Sequence, residues 1–285
     1  MDYQVVLAFS LTLIAGLSTG IGSAIAFFAK RTNFSFLCLS LGFSAGVMIY
    51  VSFVELFPQS LTYFAKTGVV GKWADLYATL SFFGGIGLIA LIDRLVPSAE
   101  NPHEMPNPQD IRSYAKSSSH KKKFLGKSNA GMKAHERRIL RVGLITALVL
   151  FIHNFPEGMV TFLSGLEELQ LAIPITVAIA IHNIPEGISV SVPIYYATDN
   201  KRLAFWISFL SGLAEPIGGL LGYLVLAPFL NNTVYGVIFA FIAGIMVFIS
   251  LDELLPAAEK YGKHHLAIYG LIAGMLVMAA SLVLL

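Results

Sequence analysis

Two hexapeptides carry the side chains best suited to chemistry. Residues 153–158 read His153-Asn154-Phe155-Pro156-Glu157-Gly158, and residues 182–187 read His182-Asn183-Ile184-Pro185-Glu186-Gly187, 29 residues further on. Each lies inside an apolar run. On a helix, positions i, i+3 and i+4 share a face. His153, Asn154 and Glu157 can therefore converge on one side of one helix, and His182, Asn183 and Glu186 on one side of the next. Imidazole with carboxylate suits Zn²⁺, Fe²⁺, Co²⁺, Ni²⁺ and similar ions. Asn adds a neutral, weaker oxygen. A donor set without thiolate is less closed than a structural zinc centre, as suits an ion that must leave. Pro156 and Pro185 free the carbonyls four residues earlier, of Ile152 and Ile181, and kink the helix. At membrane depth such backbone is tolerated where it lines a cavity. A third carboxylate, Glu215, is followed by Pro216 in another apolar run. Facing Glu157 and Glu186, it would complete three negative charges, for which two adjacent ions, or one ion and a proton, is the natural occupancy. A single His or Asn in such a run often serves only to glue helices together. Two full copies argue against that here; for Glu215 alone it stays open.

The elements that position these residues follow from composition. The chain has 285 residues, 56% hydrophobic and 13% charged, with mean hydropathy +0.73. A soluble domain carries about 25% charged residues, so the composition is that of a membrane protein. A helix needs about 20 mainly apolar residues to cross the hydrocarbon core. Eight segments qualify, roughly 3–29, 34–57, 73–96, 139–163, 171–195, 203–229, 234–256 and 264–285. The short alternating segments of a β-barrel do not occur. The expected fold is all-α, a polytopic bundle forming one transmembrane domain. Met1-Asp2-Tyr3 has no basic n-region, so the first segment is expected to stay as a helix rather than be cleaved. The lone Cys38 excludes an intrachain disulfide and a thiolate metal site.

Charge sets the expected orientation. Of 19 Lys and Arg residues, seventeen fall in the loops after segments one, three, five and seven. Lys66 and Lys72 alone fall on the other side. The positive-inside rule puts the seventeen in the cytoplasm and both termini outside, across a cell (inner or plasma) membrane. Residues 97–138, rich in Pro, Ser, Asn and Lys, read as a flexible cytoplasmic loop. Its His103, His120 and His135 either bind metal loosely or belong to a solvated basic loop near anionic lipid.

A second repetition joins the segments. Phe43-Ser44-Ala45-Gly46-Val47-Met48 with Ser52, Glu55 and Pro58 matches Phe241-Ile242-Ala243-Gly244-Ile245-Met246 with Ser250, Glu253 and Pro256, at an offset of 198. Gly16-Leu17-Ser18-Thr19-Gly20-Ile21-Gly22 matches Gly212-Leu213-Ala214-Glu215-Pro216-Ile217-Gly218, at an offset of 196. Segments one to three thus repeat as six to eight. The copies are five segments apart, so they run oppositely through the membrane. An inverted repeat is a mark of secondary transporters, and a 3+2+3 architecture follows, with segments four and five near the pseudo-twofold axis. Glu55 lies near the outer end of segment two, and Asp252 and Glu253 near the inner end of segment seven. They either guide cations in and out or are ordinary interfacial acids.

At these residues the chain resembles the ZIP (Zrt/Irt-like) family of divalent metal transporters, and its second hexapeptide is most similar to the bacterial zinc-uptake branch. The resemblance implies one metal site of His153, Glu157, His182 and Glu186, and a second beside it of Asn154, Asn183 and Glu215, with Glu157 and Glu186 bridging. It implies Zn²⁺, and often Fe²⁺, Mn²⁺, Co²⁺ or Cd²⁺, moved into the cytoplasm as substrate rather than cofactor. It also implies a homodimer and motion of one helix group against another. Some relatives have Gln-Asp where this chain has His182-Asn183, and Asn lowers the charge of the second site. The alternatives are an intramembrane metallohydrolase, since His and Glu also activate water, and a passive metal channel. Against the hydrolase stand the missing HExxH and the inverted repeat. No GxxxxGK[ST] is present to bind a nucleotide, and nothing suggests nucleic acid as a partner.

Overall fold

In lipid every backbone N–H and C=O must find its partner inside the chain, so the spanning elements are helices. The computed structural model describes residues 3–25, 34–95, 151–167, 169–198, 200–261 and 264–284, and these residues are helical apart from short turns, with no strand among them. The first span is Tyr3–Ile25. The second begins at Phe34 and runs through a π-helical turn, Ser52–Leu56, to Lys66. The third is Lys72–Leu95, reached through a tight turn in which Gly68 and Gly71 take positive φ of 83° and 62°. The fourth is described from 151 to 167, and the fifth is Leu169–Thr198. The sixth is in two pieces, Lys201–Gly212 and Ala214–Leu226. The seventh, Asn232–Tyr261, contains a second π turn, Ser250–Leu254, and the eighth is His264–Leu284. Seven described helices are long and apolar enough to cross a membrane. The protein is a polytopic, all-helical membrane protein. The loop 97–138 and the start of the fourth segment, 139–150, lie outside the described residues.

Exposed leucines and valines such as Leu80, Leu224, Val225 and Leu276 form the lipid-facing surface. Exposed Tyr3, Trp73, Trp206 and Tyr269 sit toward helix ends, where amphipathic rings favour the headgroup level. Inside, small residues let backbones touch. Two groups result. Spans two and eight pack along their length, seven packs on three, and two meets seven. Spans one and five pack together, and span six packs on one and on five. Span four reaches six through Gly158 and one through Gly165. The main seam between the groups is span two against span five.

The close approaches obey the inverted repeat. A Cβ on Gly22 would overlap the Ile184 carbonyl, and one on Gly218 the Phe155 carbonyl. Gly187 faces the Thr19 carbonyl as Gly158 faces that of Glu215, and Gly16 and Gly212 face each other. In the other group Gly46 meets the Leu271 carbonyl as Gly244 meets that of Phe82. The pairs around the central helices follow from their mates through the offsets of 196 and 29; Gly46 and Gly244 are 198 apart, and their partners Leu271 and Phe82, on spans eight and three, are 189 apart. Even the π turns correspond. Phe57 N–H reaches back to Ser52 O and Leu255 N–H to Ser250 O, each one residue before a proline. The Ser52 and Ser250 hydroxyls donate to Met48 O and Met246 O, both at 2.7 Å. The 3+2+3 arrangement is therefore an inverted repeat in three dimensions.

Candidate metal site between the central helices

Spans four and five continue through Pro156 and Pro185 without losing helical form. Antiparallel and related by the pseudo-twofold, they turn the polar faces of both hexapeptides toward each other. Span six adds Glu215. That span breaks at Leu213, whose N–H bonds Leu210 O in a tight turn. Pro216 has no N–H to bridge the break, and Glu215 falls in the first turn of the new helix, where the dipole favours a carboxylate. Sequence hydropathy showed one continuous segment at this point; the interruption is a local backbone event that apolar composition does not register.

All seven residues expected at the site, His153, Asn154, Glu157, His182, Asn183, Glu186 and Glu215, are at most 2% exposed. Glu157 stands between the two imidazoles. Its Oε1 lies 3.2 Å from His153 Nε2 and its Oε2 lies 3.2 Å from His182 Nε2. Glu186 Oε1 lies 3.4 Å from His153 Nε2. Beside this group Asn183 Nδ2 donates to Glu215 Oε1 and, at 3.0 Å, to Ala15 O. Asn154 Nδ2 donates to Ser211 O at 3.4 Å. The seven thus form two adjoining sets.

The hydrogen bonding leaves acceptors whose chemistry suits a cation. His182 Nδ1 is 3.0 Å from Ala178 O. A carbonyl only accepts, so Nδ1 carries the proton and Nε2 of the neutral ring is a lone pair. That lone pair faces a carboxylate oxygen, so two acceptors oppose each other until a proton or a metal ion comes between. Fixing the far nitrogen in this way is how proteins orient a metal-binding histidine. His153 Nδ1 and Nε2, Asn154 Oδ1, Glu157 Oε1, Asn183 Oδ1, Glu186 Oε2 and Glu215 Oε2 are buried without a hydrogen-bond partner. Buried polar atoms are nearly always paired, and here the orphans gather at one place. Ligands on a tetrahedral ion at 2.0–2.2 Å stand about 3.3–3.6 Å apart, close to the spacings seen. Among the described residues, no three His, Cys, Asp or Glu side chains close on one centre as a ready metal cage.

Glu55, Asp252 and Glu253 are not part of this cluster. All three lie in the two π turns, with Glu55 and Glu253 half-buried and Asp252 exposed. The loop residues His103, His120 and His135 lie outside the described residues. One neighbour was not picked out as a site residue from sequence. Ser44 on span two is fully buried, and its Oγ lies 3.4 Å from both His182 O and Glu186 Oε1. Its hydroxyl brings the other helix group into contact with the site. A faint signal exists in the repeat: Ser44 stands where the matching position 242 is Ile.

The sequence model of the ZIP zinc transporter family matches residues 1–282. A zinc transporter ZupT of Clostridium perfringens is 57% identical over 283 residues, covering 99% of this chain and 96% of the relative. One of Streptococcus mutans is 57% identical over 286 residues, covering 100% and 99%. One of Lysinibacillus sphaericus is 52% identical over 286 residues, covering 100% of both. End-to-end similarity of this order, on a chain whose paired HNxPEG motifs meet in its centre, places the protein in the ZIP zinc transporter family.

Proposed function

We propose that the chain imports divalent metal ions, zinc foremost and iron, manganese, cobalt or cadmium besides, into the cytoplasm through the buried His/Asn/Glu cluster. Its family consists of transporters, so the chain is a transporter and not an enzyme. The observation that carries the site assignment is the opposed pair of acceptors His182 Nε2 and Glu157 Oε2, with His153 Nε2 beside them at 3.2 Å from Glu157 and 3.4 Å from Glu186. A dehydrated divalent ion at His153, Glu157, His182 and Glu186 replaces its water shell with two imidazoles and two carboxylates. A second ion beside it takes Asn154, Asn183 and Glu215, with Glu157 and Glu186 bridging. Glu215 is needed because two carboxylates only neutralise the first ion. Nitrogen and oxygen ligands without thiolate hold the ion well enough to desolvate it and loosely enough to let it go.

Spans one, four, five and six carry the site, and spans two, three, seven and eight frame it. Sliding of the first group along the seam between spans two and five would carry the ion across. The Lys and Arg distribution puts both termini outside and residues 97–138 in the cytoplasm. Glu55 then lies toward the outer side and Asp252 and Glu253 toward the inner, as stations at the two ends of the path. Two chains assemble as a homodimer.

The deciding experiment is reconstitution in liposomes, with Zn²⁺ and Mn²⁺ influx followed with and without a pH gradient and a membrane potential. Saturable Zn²⁺ influx that Glu157→Ala abolishes is the expected result. Influx unaffected by Glu157→Ala would move the path elsewhere, and non-saturating flux would mean a channel. Cysteine labelling of the 97–138 loop from outside intact cells would reverse the orientation.

A further inference from the structure

The pseudo-twofold that relates the two Asn residues has one unequal pair of positions. Asn183 Nδ2 donates to Ala15 O on span one and to Glu215 on span six. Carried across the axis, these partners become Ser211 O and residue 19 for Asn154. The first is met: Asn154 Nδ2 donates to Ser211 O. The second is Thr19, since 215 minus 196 is 19. Threonine ends at Oγ1, two atoms short of a glutamate oxygen. Both groups that would meet are left over, because Thr19 Oγ1 and Asn154 Oδ1 are buried without a hydrogen-bond partner.

Thr19 is an exception among its neighbours. A buried Ser or Thr on a helix usually turns its hydroxyl back to its own backbone. Thr12 does so to Ala8 O at 2.8 Å, Ser23 to Thr19 O at 2.8 Å and Thr161 to Glu157 O at 2.9 Å. For Thr19 the carbonyl one turn back is Ala15 O, and that oxygen is already taken by Ser18 Oγ at 2.6 Å and by Asn183. Thr19 is 0% exposed, so bulk water does not satisfy it. The hydroxyl is held beside Gly212, where a Cβ would come within 2.7 Å of Thr19 Oγ1, at the crossing of spans one and six just ahead of Glu215.

We propose that Thr19 Oγ1 is a further oxygen of the second ion position, acting on the transported cation across one water that fills the space a glutamate would occupy, with Asn154 Oδ1 as that water's second partner. This inference rests on the assignment of Asn154, Asn183 and Glu215 to a metal position. It makes that position unequal by design: a carboxylate on the span-six side, and a neutral hydroxyl with water on the span-one side. The ion there keeps part of its hydration and is held less tightly than between the histidines.

Thr19→Val keeps the shape and removes the hydroxyl, and Thr19→Ser keeps the hydroxyl. Both are made in the full chain, reconstituted, and assayed for Zn²⁺ influx, for bound Zn²⁺ per chain by equilibrium dialysis, and for melting temperature without metal. Expected for Thr19→Val is a KM for Zn²⁺ raised about 2- to 10-fold, the loss of one hydrogen bond to the bridging water, with weaker binding of the second equivalent and the first unchanged. Thr19→Ser should restore KM to within about twofold of the parent, since the donor and its lone pairs return. A hydroxyl with no role predicts the opposite sign: Thr19→Val melts higher, because an orphan has been removed, and transports as the parent does. That result overturns the inference, as does a Thr19→Ser defect equal to that of Thr19→Val. If Glu215→Gln in the same vesicles leaves binding and influx intact, the second position itself is wrong, and the failure belongs to that assignment.

Discussion

Glu157 and Glu186 occupy matching places in the two hexapeptides, yet they do not do equal work. Glu157 sets one oxygen against each imidazole, at 3.2 Å from His153 Nε2 and 3.2 Å from His182 Nε2. Glu186 meets one imidazole, at 3.4 Å, and otherwise the Ser44 hydroxyl. Replacing either by Gln keeps the volume and removes the charge. Each carboxylate–imidazole approach marks a pair of ligands that the carboxylate charge would help hold on the ion, and an interaction of hydrogen-bond strength with a charged group is worth about 1.5–3 kcal/mol. Glu157→Gln disturbs two such contacts and Glu186→Gln one, so the two variants should differ by about 1.5–3 kcal/mol in holding the ion. At 1.4 kcal/mol per tenfold, that is about 10- to 140-fold. The assay is Zn²⁺ affinity of purified full-length protein by competition with a chelator, alongside initial influx in liposomes. Elution profiles in detergent and melting temperature confirm that both variants fold. The expected order of Zn²⁺ affinity is parent, then Glu186→Gln, then Glu157→Gln, with the last below detectable influx. Equal losses, or the reverse order, would refute the reading that Glu157 is the shared carboxylate of both histidines.

Other consequences are simpler. Ser44→Ala removes the hydroxyl that span two offers to Glu186 and should lower influx by up to about 10-fold, one charge-assisted hydrogen bond, with melting temperature little changed; influx at the parent rate would show the contact is incidental. Gly22→Ala and Gly218→Ala each drive a methyl into a facing carbonyl, so both should lose about 1–3 kcal/mol or more in unfolding experiments, by similar amounts because the sites are symmetry mates. Gly87→Ala, which opens onto free space, is the control and should lose nothing. Acidification should weaken Zn²⁺ binding and influx together, because imidazole and carboxylate ligands must shed their protons to bind metal; influx that stays constant while the assay pH falls would argue that the histidines are not ligands.

The arrangement also explains how such polar groups persist in an apolar chain. Three carboxylates and two imidazoles out of water are costly singly. Here some find donors, as Glu215 finds Asn183 and Glu186 finds Ser44, and the atoms left over are those an ion would take up. The cost is offset in part by tight backbone contact around the site, where Gly158, Gly187, Gly22 and Gly218 bring four spans within touching distance.

By itself the sequence determined the class, the periodicity and the inventory. Apolar runs of about 20 residues must be helices in lipid, because no other local structure satisfies the backbone. The doubled HNxPEG and the offsets of 196 and 198 also revealed the inverted repeat, since symmetry of structure is written as repetition of sequence. All seven residues marked by type and spacing proved to be buried together, because a helical face is fixed by spacing alone. Tertiary structure decided the rest. Which oxygen faces which nitrogen depends on how antiparallel helices are set against each other, so only packing could make Glu157 the shared carboxylate and Glu186 the one that meets Ser44. The break at Leu213 ahead of Glu215 is a matter of local backbone bonding and leaves hydropathy unchanged. The orphaned hydroxyl of Thr19 is invisible in a bare series of residues, for a threonine counts as unsatisfied only when every partner within reach has been accounted for.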